Sequence, residues 1–178
     1  MTVEQYLDYD DAADCRTEFR GGEIFRLDDA SVQHAFLATN VIIELGNRLK
    51  GGPCQVLPGV RFLTLDKGFV CPDIAVICGP PAYTANRRAV TNPSLIVEIL
   101  SPSTADFDYG GKFELYREMK SLTEYALVSQ TRVRVEVFRK NPTGEWLLSS
   151  YRGLEETIPF QSVAVTVPMS EIYARVDF

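Results

Sequence analysis

Residues 95–100 read Leu-Ile-Val-Glu-Ile-Leu, apolar on both faces of a strand apart from one glutamate. Side chains alternate between the two faces of a strand, so such a run must be covered from both sides. A second run, Ile74-Ala75-Val76-Ile77, has the same character and follows Asp73 directly. Central strands of this kind predict an α/β fold, with a central mixed β-sheet flanked by α-helices in a single domain over 1–178. A chain of 178 residues suits one domain that buries its core without help from a metal or a disulfide.

The elements around these runs follow from local signals. Thr2 and Gln5 have capping-box spacing and start a short helix through about Tyr9. Gly21-Gly22 divides residues 16–27 into a hairpin. Ser31 caps a longer helix, in which Val32, Ala35, Phe36, Thr39, Ile42, Ile43 and Leu49 roughly follow helical spacing, and Gly51-Gly52-Pro53 ends it. Strands are expected at 55–57, 60–65 and 69–77, with Asp66-Lys67-Gly68 as a tight turn. After Ser101-Pro102-Ser103-Thr104 a helix is expected over about 109–120. Strands follow at 126–128 and 132–138. In the second, Val133, Val135 and Val137 alternate with Arg132, Arg134 and Glu136, which predicts one buried and one wet face. Asn141-Pro142-Thr143-Gly144 turns the chain back along 145–151, and a short helix over about 169–174 closes it.

The carboxylates inside the apolar runs are the points of chemical interest. An isolated buried carboxylate costs several kcal/mol unless it is paired or binds a metal. Asp73 and Glu98, on neighbouring strands, would make a site for a hard divalent cation such as Mg²⁺ or Mn²⁺. Alternatively, each lies at a strand end and pairs with an arginine. Lys112 begins the helix that returns from the Glu98 strand. It could aim back at Glu98, or lie solvated on the helix surface.

The cysteines are Cys15, Cys54, Cys71 and Cys78, with no C-x-x-C pair, and His34 is the only histidine. That spacing argues against structural zinc. Cys71 and Cys78 flank an apolar segment and read as buried reduced thiols. The first residues have neither a basic start nor an apolar core, and no stretch could cross a bilayer, so a cytoplasmic protein without membrane contact is expected. With 24 acidic and 18 basic residues the net charge is −6, which argues against coating nucleic acid by bulk electrostatics. Local contact is still open. Candidate basic patches are Arg87-Arg88, Arg132 with Arg134, and Arg139-Lys140.

Together, Cys71-Pro72-Asp73-Ile74-Ala75-Val76, then Ile96-Val97-Glu98-Ile99-Leu100-Ser101-Pro102-Ser103-Thr104, then Asp108 and Lys112 with Leu115-Tyr116-Arg117 resemble the Uma-two family of restriction-endonuclease-like proteins. Glu18-Phe19, Gly22-Glu23-Ile24, His34, Asn40 and Glu124-Tyr125 with Leu127-Val128 extend the likeness over nearly the whole chain. The resemblance implies the PD-(D/E)XK nuclease fold and metal-assisted phosphodiester hydrolysis of DNA. Pro72-Asp73 is then the PD element and Glu98 the second acid. The pair would hold Mg²⁺ or Mn²⁺, with the Ile99 carbonyl as a further ligand. Most such nucleases place a lysine two residues after the glutamate. Leu100 stands there, so the resemblance moves the role to Lys112. Glu23 could approach the same site or be solvated. His34 could orient a phosphate or be structural. Asp108 could join the site or cap the Lys112 helix. An intact fold used for binding or regulation without cleavage is the alternative reading. A homodimer is compatible with both, since cutting two strands often uses a symmetric pair.

Overall fold

The computed structural model describes residues 1–27, 30–64, 68–84, 87–102 and 104–178. The capping box forms as expected, with Thr2 N donating to Gln5 Oε1 at 2.8 Å and Gln5 N to Thr2 Oγ1 at 3.2 Å. It opens α1 (Val3–Ala12). The hairpin follows as β1 (Thr17–Arg20) and β2 (Glu23–Arg26), turning through Gly21 and Gly22, both at positive φ.

Ser31 caps α2 (Val32–Leu49) by accepting from His34 N at 3.1 Å. The buried stripe of α2 is Leu37, Val41, Leu45 and Leu49, an i, i+4 row, with Ala38 and Ile42 beside it. Val32, Phe36 and Ile43 are exposed. The helix is therefore rotated from the face expected from spacing, because apolar residues occur on both stripes and packing selects one.

Strands β3 (Cys54–Pro58), β4 (Phe62–Leu63), β5 (Phe69–Val70), β6 (Ile74–Cys78) and β7 (Leu95–Leu100) come next. The single strand expected over 69–77 is two strands, because Pro72 cannot donate to a ladder. The turn expected at Asp66-Lys67-Gly68 lies outside the described residues except for Gly68, as does Ser103. Beyond β7 come a single turn α3 (Ala105–Phe107), a π-helical turn Asp108–Lys112, and α4 (Phe113–Arg117). The uniform helix expected over 109–120 is thus shorter and changes its winding. The chain ends with β8 (Glu124–Ser129), β9 (Val135–Lys140), β10 (Trp146–Tyr151), β11 (Thr157–Phe160), β12 (Val165–Pro168) and α5 (Met169–Ile172). The β11–β12 hairpin is an addition to the expected strands.

Six strands form the central sheet in the order β10-β9-β8-β7-β6-β3. Only β7 and β8 run parallel within it, so the sheet is mixed. A smaller sheet has the order β2-β1-β5-β4. Strand alternation divides the central core in two. Ile74, Val76, Leu95, Val97 and Ile99 meet α2, α5 and the β11–β12 hairpin. Ala75, Ile77, Ile96 and Leu100 meet Tyr116, Met119 and Leu122 on the other face. Glu98 shares the second face with Ile96 and Leu100, which brings it under the segment carrying Lys112 and Tyr116.

Two further expectations are corrected. Cys78 is not a reduced thiol: it forms a disulfide with Cys54. The β3–β6 register puts these residues directly opposite each other, a consequence of strand pairing that spacing does not contain. Cys71 is buried and free, as expected. Glu136 is not on a wet face but 3% exposed, held by the Tyr109 hydroxyl and the Arg134 guanidinium.

Candidate active site

A cleft of about 640 Å³ opens above the end of β7 and is lined by His34, Asp73, Glu98, Asp108 and Lys112, among others. Three separate segments supply its chemistry. Asp73 stands just before β6, where Pro72 has broken the strand. Its backbone N–H donates to Glu98 Oε2 at 3.1 Å, and its own Oδ2 accepts from Ile99 N at 2.8 Å. The PD element is thus stitched to β7 at two points, which fixes the two acids side by side. His34, one turn into α2, reaches Asp73 Oδ2 with Nε2 at 3.1 Å.

Glu98 is fully buried. Its Oε1 accepts from Lys112 Nζ at 3.0 Å and from the Tyr116 hydroxyl at 2.7 Å. Burial pushes its pKa up to about 8, against the opposing pull of the Lys112 ammonium, while Asp73 and Asp108 add to the rise. Asp73 is held below its ordinary value. Burial alone would raise it, but the His34 contact and the Ile99 N–H outweigh that.

Lys112 is not on the helix surface. It is 8% exposed and lies 3.0 Å from Glu98, 3.2 Å from Asp108 and 3.8 Å from Glu18. Burial alone would lower its pKa, but these carboxylates raise it, so the ammonium stays charged. Asp108 is buried against it, inside the π-helical turn, and does not cap the Lys112 helix at its start. Its pKa is raised by burial and pulled back by Lys112.

The π-helical turn sets this geometry. Its wider winding turns both Asp108 and Lys112 inward. Gly111 is required there, since a Cβ would come within 2.2 Å of the Phe107 ring. Phe107 in turn stacks on the Arg20 guanidinium, whose other face covers Phe25, each ring centroid being 3.8 Å away. Arg20 Nε is 3.4 Å from Glu18 Oε2. Gly111→Ala should therefore displace Phe107 and lower unfolding stability by about 2 kcal/mol, as overpacking does. Urea unfolding followed by circular dichroism checks this, and an unchanged midpoint would contradict the packing described.

Among the expected site residues, Asp73, Glu98, Lys112, His34 and Asp108 converge. Glu23 does not: it is exposed and does not line the cleft. The hairpin instead contributes Glu18, 1% exposed on β1, which does not line the cleft but lies 3.8 Å from Lys112 Nζ and accepts from Cys71 N at 3.0 Å. Glu18 and Tyr116 were missed as chemical groups. A glutamate between Thr17 and Phe19 in a short strand has no periodicity to mark it. The basic patches are largely committed elsewhere. Arg88 pairs with Asp8 and Asp11, Arg134 with Glu136 and Arg139 with Glu124, while Arg87 lies over Tyr83 and Lys140 over Trp146. No helix among the described residues is long and apolar enough to cross a membrane.

With this geometry in place, comparison with known proteins is decisive for the family. The Uma2 family model, described as "Putative restriction endonuclease", matches residues 3–169. The chain belongs to the Uma2 family. Two relatives from Synechocystis sp. extend the comparison. "Uncharacterized protein slr1290" is 30% identical over 182 residues, covering 100% of this chain and 94% of the relative. "Uncharacterized protein sll1609" is 35% identical over 170 residues, covering 93% and 95%. Among solved structures, that of a putative nuclease belonging to DUF820 from Anabaena variabilis superposes with a TM-score of 0.78. The match covers 98% of both chains at 14% identity, a likeness that establishes the fold. The Uma2 chain therefore has the restriction-endonuclease-like architecture: a central mixed sheet with helices on both faces.

Proposed function

We propose that this Uma2 chain is a divalent-metal-dependent DNA endonuclease, with Asp73 and Glu98 holding the ion and Lys112 assisting the water nucleophile. One observation carries the reading: an acid just before β6, an acid on β7 and a buried lysine meet at one end of the cleft, with Lys112 Nζ 3.0 Å from Glu98 and Glu98 3.1 Å from the Asp73 amide. The donor set fits Mg²⁺ or Mn²⁺. Both acids offer hard oxygen, and Mg²⁺ commonly takes one or two carboxylates and fills its shell with water and substrate phosphate. Among the described residues no group of three His, Cys, Asp or Glu is placed to hold an ion, so water and substrate phosphate would have to complete its shell. When bound, the ion supplies Lewis-acid polarisation of the phosphate and a lowered pKa for water.

The chain's own groups do the positioning. The Ile99 N–H and His34 fix the Asp73 carboxylate, and the Tyr116 hydroxyl fixes Glu98. Lys112 stays charged and stabilises negative charge that develops on the phosphate. The protein is acidic overall, so binding away from the site is weak and salt-sensitive.

A second reading, a nuclease fold that binds or regulates without cutting, draws on a different feature. Both Glu98 oxygens are already engaged, Oε1 by Lys112 and Tyr116 and Oε2 by the Asp73 amide. Incubating the purified protein with supercoiled plasmid separates the two. The endonuclease reading expects nicking that requires added Mg²⁺ or Mn²⁺ and stops with a chelator. No cleavage under any divalent ion favours the second reading.

A further inference from the structure

The cleft has three basic side chains on its walls, Arg16, His34 and Lys112. Two are occupied. Lys112 faces carboxylates on three sides, and His34 contacts Asp73. Arg16 makes no ion pair among the described residues.

Its guanidinium is nevertheless held in place. Arg16 Nη2 donates to the Gly59 carbonyl at 3.0 Å. Gly59 has φ +58°, and a Cβ there would come within 3.0 Å of Arg16 Nη1, so the missing side chain makes the seat. Gly59 N in turn donates to the Asp73 carbonyl at 3.0 Å. A planar cation is thus fixed through one residue to the backbone of the first acid.

Arg16 also borders a second cavity of about 220 Å³, which shares Arg16 and Cys71 with the cleft. Arg61 and Arg88 line it, pinned by Asp10 and by Asp8 with Asp11. Arg16 therefore stands on the ridge between the two spaces, with N–H groups beyond those engaged by the Gly59 carbonyl and the Cys71 thiol. A guanidinium fork suits phosphate oxygens, which it can engage through two hydrogen bonds.

We propose that Arg16 binds a backbone phosphate flanking the scissile one, on a nucleic-acid strand that runs from the cleft toward the second cavity. The site would then select a phosphodiester polymer over a mononucleotide, since a mononucleotide in the cleft need not reach the ridge. This assignment rests on the nuclease reading and adds the residue that grips the substrate.

The test is fluorescence anisotropy of a labelled short DNA duplex, with Ca²⁺ replacing Mg²⁺ and salt varied over about 50–200 mM. Arg16→Gln should weaken binding about tenfold, in line with loss of a charged hydrogen bond. It should also reduce the slope of log K against log salt by about 0.9, the share of one phosphate contact. Arg16→Lys should restore the slope with only part of the affinity. Thymidine monophosphate, used as competitor, should show the same inhibition constant with wild type and Arg16→Gln. Because Arg16 is exposed, both variants should melt with the wild type. Wild-type binding with an unchanged slope in Arg16→Gln would overturn the assignment while leaving the nuclease reading standing. A wild-type protein that neither binds nor cuts DNA would overturn both.

Discussion

Asp73→Asn and Glu98→Gln should each cut plasmid at least about a thousandfold more slowly than wild type, while folding normally. The size follows from the role: losing the ion removes several kcal/mol of charge stabilisation, and about 4 kcal/mol corresponds to a thousandfold. The amides are the informative replacements. In the first variant the asparagine keeps an oxygen for the Ile99 N–H. In the second the glutamine keeps one for the Asp73 N–H or the Tyr116 hydroxyl. The stitching between the PD element and β7 therefore persists, while the charge that attracts the cation is removed. Far-UV circular dichroism would verify folding. Activity retained in both variants would place the cutting elsewhere in the chain or in a contaminant.

Lys112→Ala should be the most destabilising change in the site, costing about 3–5 kcal/mol of unfolding free energy. Removing one partner of a buried ion pair leaves the other charge uncompensated. Here the loss exposes Glu98, Asp108 and Glu18 to one another, with Arg20 paired to Glu18 at 3.4 Å and interacting more weakly with Asp108. Two of these carboxylates are 1% exposed and the third 2%, so water cannot replace the ammonium cheaply. A double variant, Lys112→Met with Glu98→Gln, should lose less than the sum of its single changes, because it removes charge from both sides. Urea unfolding of these variants beside wild type measures both effects. A loss below about 0.5 kcal/mol for Lys112→Ala would mean an ordinary surface lysine.

Much of the site is legible in sequence because burying charge is expensive. Glu98 within an apolar run and Asp73 beside another are conspicuous for that reason, and the Uma-two likeness then adds Lys112. The rest depends on tertiary geometry. Glu18 sits in a four-residue strand whose neighbours say nothing of its burial. The inward turn of Lys112 arises from a π-helical turn that includes Gly110-Gly111, a pair that reads in sequence only as a weak helix start. The Cys54–Cys78 bond depends on strand register. The fold class was visible for the same reason as the acids, since runs apolar on both faces demand a layer on each side. The buried stripe of α2 was not, because Phe36 and Leu37 are equally apolar and only packing distinguishes them.

The charge balance takes on a different meaning at the site. A net charge of −6 opposes a DNA partner held by bulk electrostatics. Within the cleft wall the same excess concentrates carboxylates around one committed lysine, and on the proposed reading that concentration is what a divalent cation would neutralise.

Anomalous diffraction from crystals grown with Mn²⁺ decides the metal assignment. A peak is expected with oxygens of both Asp73 and Glu98 about 2.1 Å from the ion, near the distance hard octahedral sites adopt. A peak bound by other residues, or crystals of a cleavage-competent protein with no peak between these two acids, would contradict it.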